Sequence, residues 1–336
     1  MDYAAFVLII AAGLTQGSFI APMKLVRNWE WENTWLVFCF LGFIVFPAVV
    51  ALVTVPQIGL VFLSSPRRDL LLPALFGLGW GCGSICFGLG FRELGMGLAY
   101  ALVSGLSGAL GALIPWLSSP RKPLVYSILL WTGVLVMIAG VAVCSLAGHE
   151  RDKKRASEMS GVKPRNFPLG LAICVLGGVL SCFMNLGFAF GAGVTQRARE
   201  LGASVANAPN PLWLIVMSSG FVSIAAYCGY LLASKRTWRN YGRPRGVGNL
   251  GSVLAMALLW EATLVAYGAG ATRIGRVGPS VGWAALLSIT VVASNLWGAA
   301  TGEWRGAGRK AGRLMLSGIA TLVLAVAIVG FATLKA

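Results

Sequence analysis

"GLGWGCGSICFGLG" (residues 77–90) and "ALLWEATLVAYGAG" (residues 257–270) share one frame, 180 positions apart. Trp80, Phe87, Gly88, Gly90 and the following Gly95 correspond to Trp260, Tyr267, Gly268, Gly270 and Gly275. With 44 glycines in the chain, matched glycines alone carry little weight; two tryptophans, each followed by an aromatic–glycine pair, carry more. Weaker echoes join Trp116 to Trp297 and Gly133 to Gly318. Recurrence of this kind marks an internal duplication.

The duplicated segments lie in a chain of 336 residues that is 57% hydrophobic and only 11% charged, with positive mean hydropathy. Soluble domains carry about 25% charged residues, so the chain belongs to the membrane class. Apolar stretches long enough to cross about 30 Å of hydrocarbon run approximately over 3–23, 34–56, 70–91, 97–117, 125–146, 169–192, 210–234, 248–270, 279–300 and 314–334. Unpaired backbone is too costly in lipid for an open sheet. The expected fold is therefore an all-α membrane protein of ten transmembrane helices. The first span starts Met1-Asp2-Tyr3 without a basic head and outruns a signal core, so it is counted as a helix. The seven cysteines fall inside spans and read as small apolar residues rather than a disulfide framework. Cys82 and Cys86 share a helix face but lack the partners a metal site needs. The only histidine, His149, lies between spans, which leaves no Ser-His relay or histidine cage within the membrane.

A formal net charge of +16 invites a nucleic-acid reading, but the 27 Lys and Arg lie between or beyond the spans. Connections after odd-numbered spans hold 18 of them, while those after even-numbered spans and the C-terminus hold 9. The positive-inside rule places the first set in the cytoplasm and both termini outside. The basic excess is then topological, its partners being membrane lipids rather than nucleic acid. Residues 147–168, polar and rich in charge, form the longest connection and separate two groups of five spans. Residues 1–146 read as a first repeat, 147–168 as a cytoplasmic linker with a solvated charge run at Arg151–Arg155, and 169–336 as a second repeat. An odd number of spans per copy makes the repeats inverted, an architecture that puts a binding site near the bilayer midplane and lets it face each side in turn. Gly77 with Gly81, Gly79 with Gly83, Gly13 with Gly17, and the stripe Gly105, Gly108 and Gly111 have the spacing of close helix packing. Gly246-x-Gly248-x-x-Gly251 has dinucleotide-fingerprint spacing, but no strand precedes it and the reading is rejected.

Among eleven acids, ten lie in loops or at span ends and only Glu261 stands deep in a span. No span offers a Lys or Arg as its mate, and an ionised, unpaired carboxylate there costs several kcal/mol. Desolvation favours its protonated form. Glu261 is the candidate proton-coupling residue; the alternative is a protonated carboxyl bonded across a helix interface. Trp260, Thr263 and Tyr267 flank it on one side of span 8. Tyr100, Ser104 and Ser107 form a polar stripe on span 4, and Trp80, Ser84, Gln16, Asn185 and Asn295 are further polar or aromatic groups inside spans. Rings that stack on C–H faces, with hydroxyls and amides beside them, suit a sugar. Trp29, Trp31 and Trp35 read as an interfacial belt.

"APMKLVRNWEWENTW", "LFGLGWGCGSICFGLGFRELGMG" and "GEWRGAGRKAG" resemble segments of the L-rhamnose/proton symporter family, a ten-helix branch of the drug/metabolite transporter superfamily. The matching positions are Trp80-Gly81-x-Gly83, Phe87-Gly88, Arg92 with Leu94-Gly95-Met96, and Glu303-Trp304 with Ala307-Gly308-Arg309. The resemblance spans both halves and is faint through spans 6 and 7. It implies two inverted five-helix repeats in the bacterial inner membrane and proton-driven uptake of L-rhamnose or a related deoxy-sugar, with the proton as coupling ion and no other cofactor. The chain departs from the family pattern at Ser84 and Cys86, where the pattern has asparagines, at Glu261, where it has an aromatic, and at the start of span 9. An exporter or facilitator of another small metabolite or drug is the competing expectation. Without HExxH, a membrane histidine or paired carboxylates, an enzyme is not expected. The oligomeric state is left open.

Overall fold

A computed structural model describes residues 3–94, 96–119, 123–157, 167–242, 246–302 and 304–335. In chain order the helices are α1 (Tyr3–Ser18), α2 (Trp31–Phe40), α3 (Phe46–Thr54), α4 (Ile58–Ser64), α5 (Arg67–Leu94), α6 (Met96–Leu117), α7 (Leu124–Ser157), α8 (Phe167–Ser181), α9 (Phe183–Phe190), α10 (Ala192–Glu200), α11 (Asn210–Ser234), α12 (Gly246–Ile274), α13 (Gly278–Ala300) and α14 (Arg309–Ala332). There is no strand among the described residues. Eight stretches are long and apolar enough to cross a membrane. One of the eight, Gly248–Ala300, contains both α12 and α13, divided at Gly275–Val277, and α6 contributes a shorter apolar helix, Leu102–Leu117. The protein is an all-helical, multi-pass membrane protein.

Local chemistry explains where the rods start and bend. A capping box opens α2: Glu30 accepts from the Asn33 backbone, and Asn33 Oδ1 accepts from the Glu30 N–H at 3.1 Å. Between α2 and α3 lies a π turn, Leu41–Val45, in which the Phe46 N–H reaches back five residues to the Leu41 carbonyl, and Pro47 follows at once. The segment expected as the sixth span, 169–192, is divided into α8 and α9 at Cys182, and α10 follows beyond Gly191.

Helix pairing follows the small residues. The α5 stripe of Gly77 and Gly81 lies against Val216 and Gly220 of α11, while Gly79 and Gly83 lie against Phe183 and Leu180; Gly13 and Gly17 of α1 abut Ile289 and Ala293 of α13. These are the close approaches that small residues at i and i+4 allow. Gly105 is the exception in its stripe: a Cβ there meets nothing within 4 Å. The longest interface joins α7 to α14. Its reciprocal pair is Gly140, against Leu322, and Gly318, against Cys144, whereas Gly133 packs on Val329. The echo at Gly318 therefore belongs with Gly140.

Four expectations need correction. First, α7 continues to Ser157, so residues 147–157 are helix rather than linker; residues 158–166 lie outside the described ones. Second, Arg151 is not part of a solvated run: it is buried, with its guanidinium 5.1 Å from the centre of the Trp304 ring, and beside it Lys310 bonds Glu150 at 3.0 Å. Third, Glu261 is not alone in being buried. Glu32, in the first turn of α2, accepts from Thr237 at 2.8 Å and from Lys235 at 3.3 Å. The nearby Asn33 donates to the Thr237 carbonyl, and Tyr241 donates to the Asn33 carbonyl. Fourth, only Trp31 of the expected aromatic belt is exposed; Trp35 packs on Phe38 and Trp29 on Tyr241. Glu303 and the side chains of Arg92, Glu93, Leu94 and Met96 lie outside the described residues.

The glycine packing yields a paired test. Alanine at Gly81 sets its Cβ against the Gly220 carbonyl, which is backbone and cannot rotate away. Gly81→Ala should cost about 1–3 kcal/mol, whereas Gly105→Ala, in open space, should gain up to about 1 kcal/mol. Thermal unfolding of the purified protein in detergent reads both, and equal effects at the two positions would remove the packing argument.

Candidate functional site

The two tryptophans that the duplication matches stack on each other. Trp80 of α5 and Trp260 of α12 have ring centres 5.8 Å apart and planes 21° apart. Phe43 of the π turn lies 5.3 Å from Trp80 and 5.5 Å from Trp260, and Phe19 and Phe38 close on Trp260 at 5.1 Å and 6.2 Å. In this conformation the Trp260 ring is 5% exposed, so its faces are occupied by protein rings.

Polar groups beside this aromatic cluster are left unsatisfied. Glu261 is 7% exposed, and its Oε2 is buried without a hydrogen-bond partner among the described residues; the same holds for Trp260 Nε1 and Gln16 Oε1. Thr15 of α1 meets Thr263 of α12 at 2.8 Å, fixing α1 in register with Gln16 one residue beyond that bond. Thr263 itself is fully buried and satisfied, since it also donates to the Leu259 carbonyl at 3.0 Å.

A second polar group is fully satisfied. Asn185 of α9 donates to the carbonyls of Gly111 (2.7 Å, α6) and Pro279 (2.9 Å, α13) and accepts from the Tyr267 hydroxyl (2.5 Å, α12). The Trp283 Nε1 of α13 donates to the Ser107 carbonyl of α6 at 3.0 Å, and the Trp283 ring lies edge-on to Tyr267. Gly111 has no side chain because the Trp283 ring occupies the place: a Cβ would sit 2.5 Å from Cδ1. Four helices are tied in one node.

The structure thus divides the expected site residues. Trp80, Trp260, Glu261, Thr263 and Gln16 lie along the aromatic cluster and the α1–α12 contact, while Asn185, Tyr267 and the Ser107 backbone form the node. Ser84 turns back to the Gly81 carbonyl at 2.8 Å and Asn295 to that of Val291 at 2.9 Å, each bonding within its own helix. Ser104 is half-buried and enters neither group, and the Tyr100 side chain lies outside the described residues.

The sequence profile of the family described as L-rhamnose-proton symport protein matches residues 4–335. The chain belongs to that family. A protein of Cronobacter sakazakii (strain ATCC BAA-894) named L-rhamnose-proton symporter is 28% identical over 327 residues, covering 93% of this chain and 92% of its own. Proteins of the same name from Klebsiella pneumoniae (strain 342) and Escherichia coli O1:K1 are each 26% identical with the same coverage. Membership makes the chain a transport protein rather than an enzyme, integral to the inner membrane and multi-pass.

Within this family member several site residues escape sequence reasoning. Phe19, Phe38 and Phe43 sit in unbroken apolar runs where nothing separates a ring on Trp260 from a ring in lipid. The roles of Gly111 and Pro279 belong to their carbonyls, which no residue name reveals. Trp283 lies in a stretch already set apart as departing from the family pattern, and that departure was the available signal. Removing the Tyr267 hydroxyl leaves Asn185 Oδ1 without its donor in a buried place. Tyr267→Phe should therefore cost about 1–3 kcal/mol, read as a lower unfolding temperature in detergent; an unchanged temperature would mean the node does not hold these helices.

Proposed function

We propose that this chain takes up L-rhamnose or a related deoxy-sugar together with protons, through ten membrane crossings arranged as two inverted five-helix repeats that rock about a site between them. Three observations support this reading. The relatives are named L-rhamnose-proton symporters over nearly their whole length. Helix contacts come in exchanged pairs: α5 packs on α8 as α12 packs on α1, α6 on α8 as α13 on α1, and α6 on α7 as α13 on α14, while α7–α14 and α6–α13 map onto themselves. The observation that carries the coupling is Glu261, a buried carboxyl with an unpartnered oxygen, next in sequence to the tryptophan at which the copies meet.

In the proposed cycle the carboxyl takes a proton from the outer side, because its charged form is costly in a dry site. Sugar binding between the repeats then parts Trp80 from Trp260 and offers hydroxyls to Trp260 Nε1 and Gln16 Oε1. The Asn185–Tyr267 node joins the ends of α6, α9, α12 and α13 that the charge rule places outside, so it closes the outer path in the conformation described and must open for entry. Both termini face outside, and no cofactor other than the proton takes part.

The test is transport in proteoliposomes. The unaltered protein should accumulate L-rhamnose when the outside is more acidic, and Glu261→Gln should still exchange rhamnose across the membrane but lose pH-driven accumulation. Rhamnose-evoked proton uptake separates this reading from export or facilitation. Full accumulation by the variant would end the coupling role of Glu261, and no accumulation by the unaltered protein would end the symport reading.

A further inference from the structure

The two segments around the Trp80–Trp260 stack differ in an acid, Glu261 against Gly81, and in a proline, Pro47 against Ala225. In the second half of the contact set, Gly220 of α11 lies over Gly77 and Trp80 of α5, 3.1 Å from the Gly77 carbonyl and 2.9 Å from the Trp80 ring for a Cβ built on it, and its own carbonyl faces position 81. In the other copy Gly42 of the π turn lies over Ala257 and Trp260 of α12, 3.7 Å from the Ala257 Cα and 3.5 Å from the Trp260 ring on the same measure. The two contacts are alike: 257, 260 and 261 match 77, 80 and 81 at a spacing of 180, and Gly42 takes the place of Gly220 at a spacing of 178. Ala257, Trp260 and Glu261 stand at i, i+3 and i+4, the near rim of the hollow a packed neighbour enters. By analogy with Gly220, whose carbonyl meets position 81, the carbonyl of Gly42 is assigned to the side of position 261.

The Gly42 carbonyl also lacks a backbone donor. In an α-helix its donor is the amide of residue 46, but the Phe46 N–H is committed to Leu41. In a π turn its donor is the amide of residue 47, and Pro47 has none. The matching position in α11 is Ala225, inside an unbroken α-helix. One copy therefore pairs an intact helix with Gly81, and the other pairs a freed carbonyl with a buried acid.

We propose that the freed Gly42 carbonyl accepts the proton-bearing oxygen of Glu261, making the π turn and Pro47 the positioning element of the proton site. When the carboxyl is protonated, O–H donates to the Gly42 oxygen and holds α2 and α3 against α12. Loss of the proton leaves two acceptors facing each other in a dry contact, which drives the helices apart. Release of the proton is thereby converted into helix separation beside the Trp80–Trp260 stack. The inference rests on the coupling role assigned to Glu261 above.

Other titratable groups on the neighbouring elements are few. The described side chains are Tyr3 on α1, Lys24 on the turn after it, Glu32 and Cys39 on α2, Arg67, Arg68, Asp69, Cys82 and Cys86 on α5, Tyr227, Cys228 and Tyr230 on α11, Arg276 after α12, and Tyr267 and Arg273 on α12; the π turn, α3 and α13 carry none. Glu32 and Asp69 are the other carboxyls among them; Glu32 is bound by Thr237 and Lys235, and Asp69 stands in the first turn of α5. An infrared carboxyl band that disappears in Glu261→Gln therefore isolates Glu261 from the phenols, the thiols, Glu32 and Asp69.

Pro47→Ala restores an amide that can take the Gly42 carbonyl, and alanine is the residue already accepted at 225. In this variant the Glu261 band should move to the higher frequency of a carboxyl without a hydrogen-bond acceptor. Its proton affinity should weaken about tenfold, the worth of one hydrogen bond to the neutral form. Glu261→Asp, one methylene too short to reach, should move the band likewise in an untouched α2. An unmoved band and unchanged affinity in folded, rhamnose-exchanging Pro47→Ala would overturn the acceptor assignment, while leaving the coupling role intact if Glu261→Gln still fails to accumulate rhamnose. Normal accumulation by Glu261→Gln would instead remove the coupling role itself.

Discussion

Stacking of Trp80 on Trp260 is the contact on which the arrangement turns, because it joins α5 to α12 at the two tryptophans that share the 180-residue frame. One aromatic pair is worth about 0.5–1.5 kcal/mol beyond the area it buries, too little to hold two halves of a membrane protein together. The permanent hold lies elsewhere. Along α7 and α14, Gly140 and Gly318 bring two long helices into backbone-level contact, and in lipid such close packing, rather than a hydrophobic drive, keeps helices associated. A rigid α7–α14 seam and a weak central ring stack are what a protein needs if its halves are to tilt about one interface and part at another.

Polar groups inside the bundle divide along the same line. Asn185 uses both amide hydrogens and its oxygen, so nothing about its node asks for a ligand. Gln16, Trp260 and Glu261 each hold a buried atom without a partner among the described residues, as do Trp29, Trp213 and Tyr126, of which Trp213 packs on Tyr267. In a low-dielectric interior an unmade hydrogen bond costs about 1–3 kcal/mol, and a cluster of such groups persists where something else completes it part of the time. A sugar hydroxyl and a proton are suitable completions, and both are transient.

Much of the fold was legible because its signals are long. Twenty apolar residues cannot be mistaken for a loop, and the Trp-Phe/Tyr-Gly frame survives in both copies. Glycine spacing marked close helix packing everywhere but at Gly105, since a missing side chain has one dominant use in lipid. Signals failed where an effect depended on the partner rather than the residue. Charge made residues 147–157 look like linker, yet Arg151 is buried over Trp304 and the helix runs through. Glu32 looked like a loop acid because its stabilising groups, Thr237 and Lys235, are two hundred residues away. Trp35 looked interfacial because composition does not say which way a ring turns.

In the proposed two-repeat reading the halves begin as equivalents, and coupling to a single ion requires them to stop being equivalent. The chain does this with few changes. Gly81 keeps one α5–α11 contact tight enough for a backbone carbonyl to touch it, while Glu261 at the matching place needs more room and brings the acid. Ala225 keeps α11 regular, while Pro47 and the π turn break the ladder of the matching helix and expose an acceptor. Either change alone would be costly: an acid facing a satisfied helix has nothing to bond, and a freed carbonyl facing glycine has no donor. Together each removes the other's penalty when the proton is bound, and restores it when the proton leaves. The asymmetry is therefore itself a two-state element, and its stability depends on the ion that the family is named for.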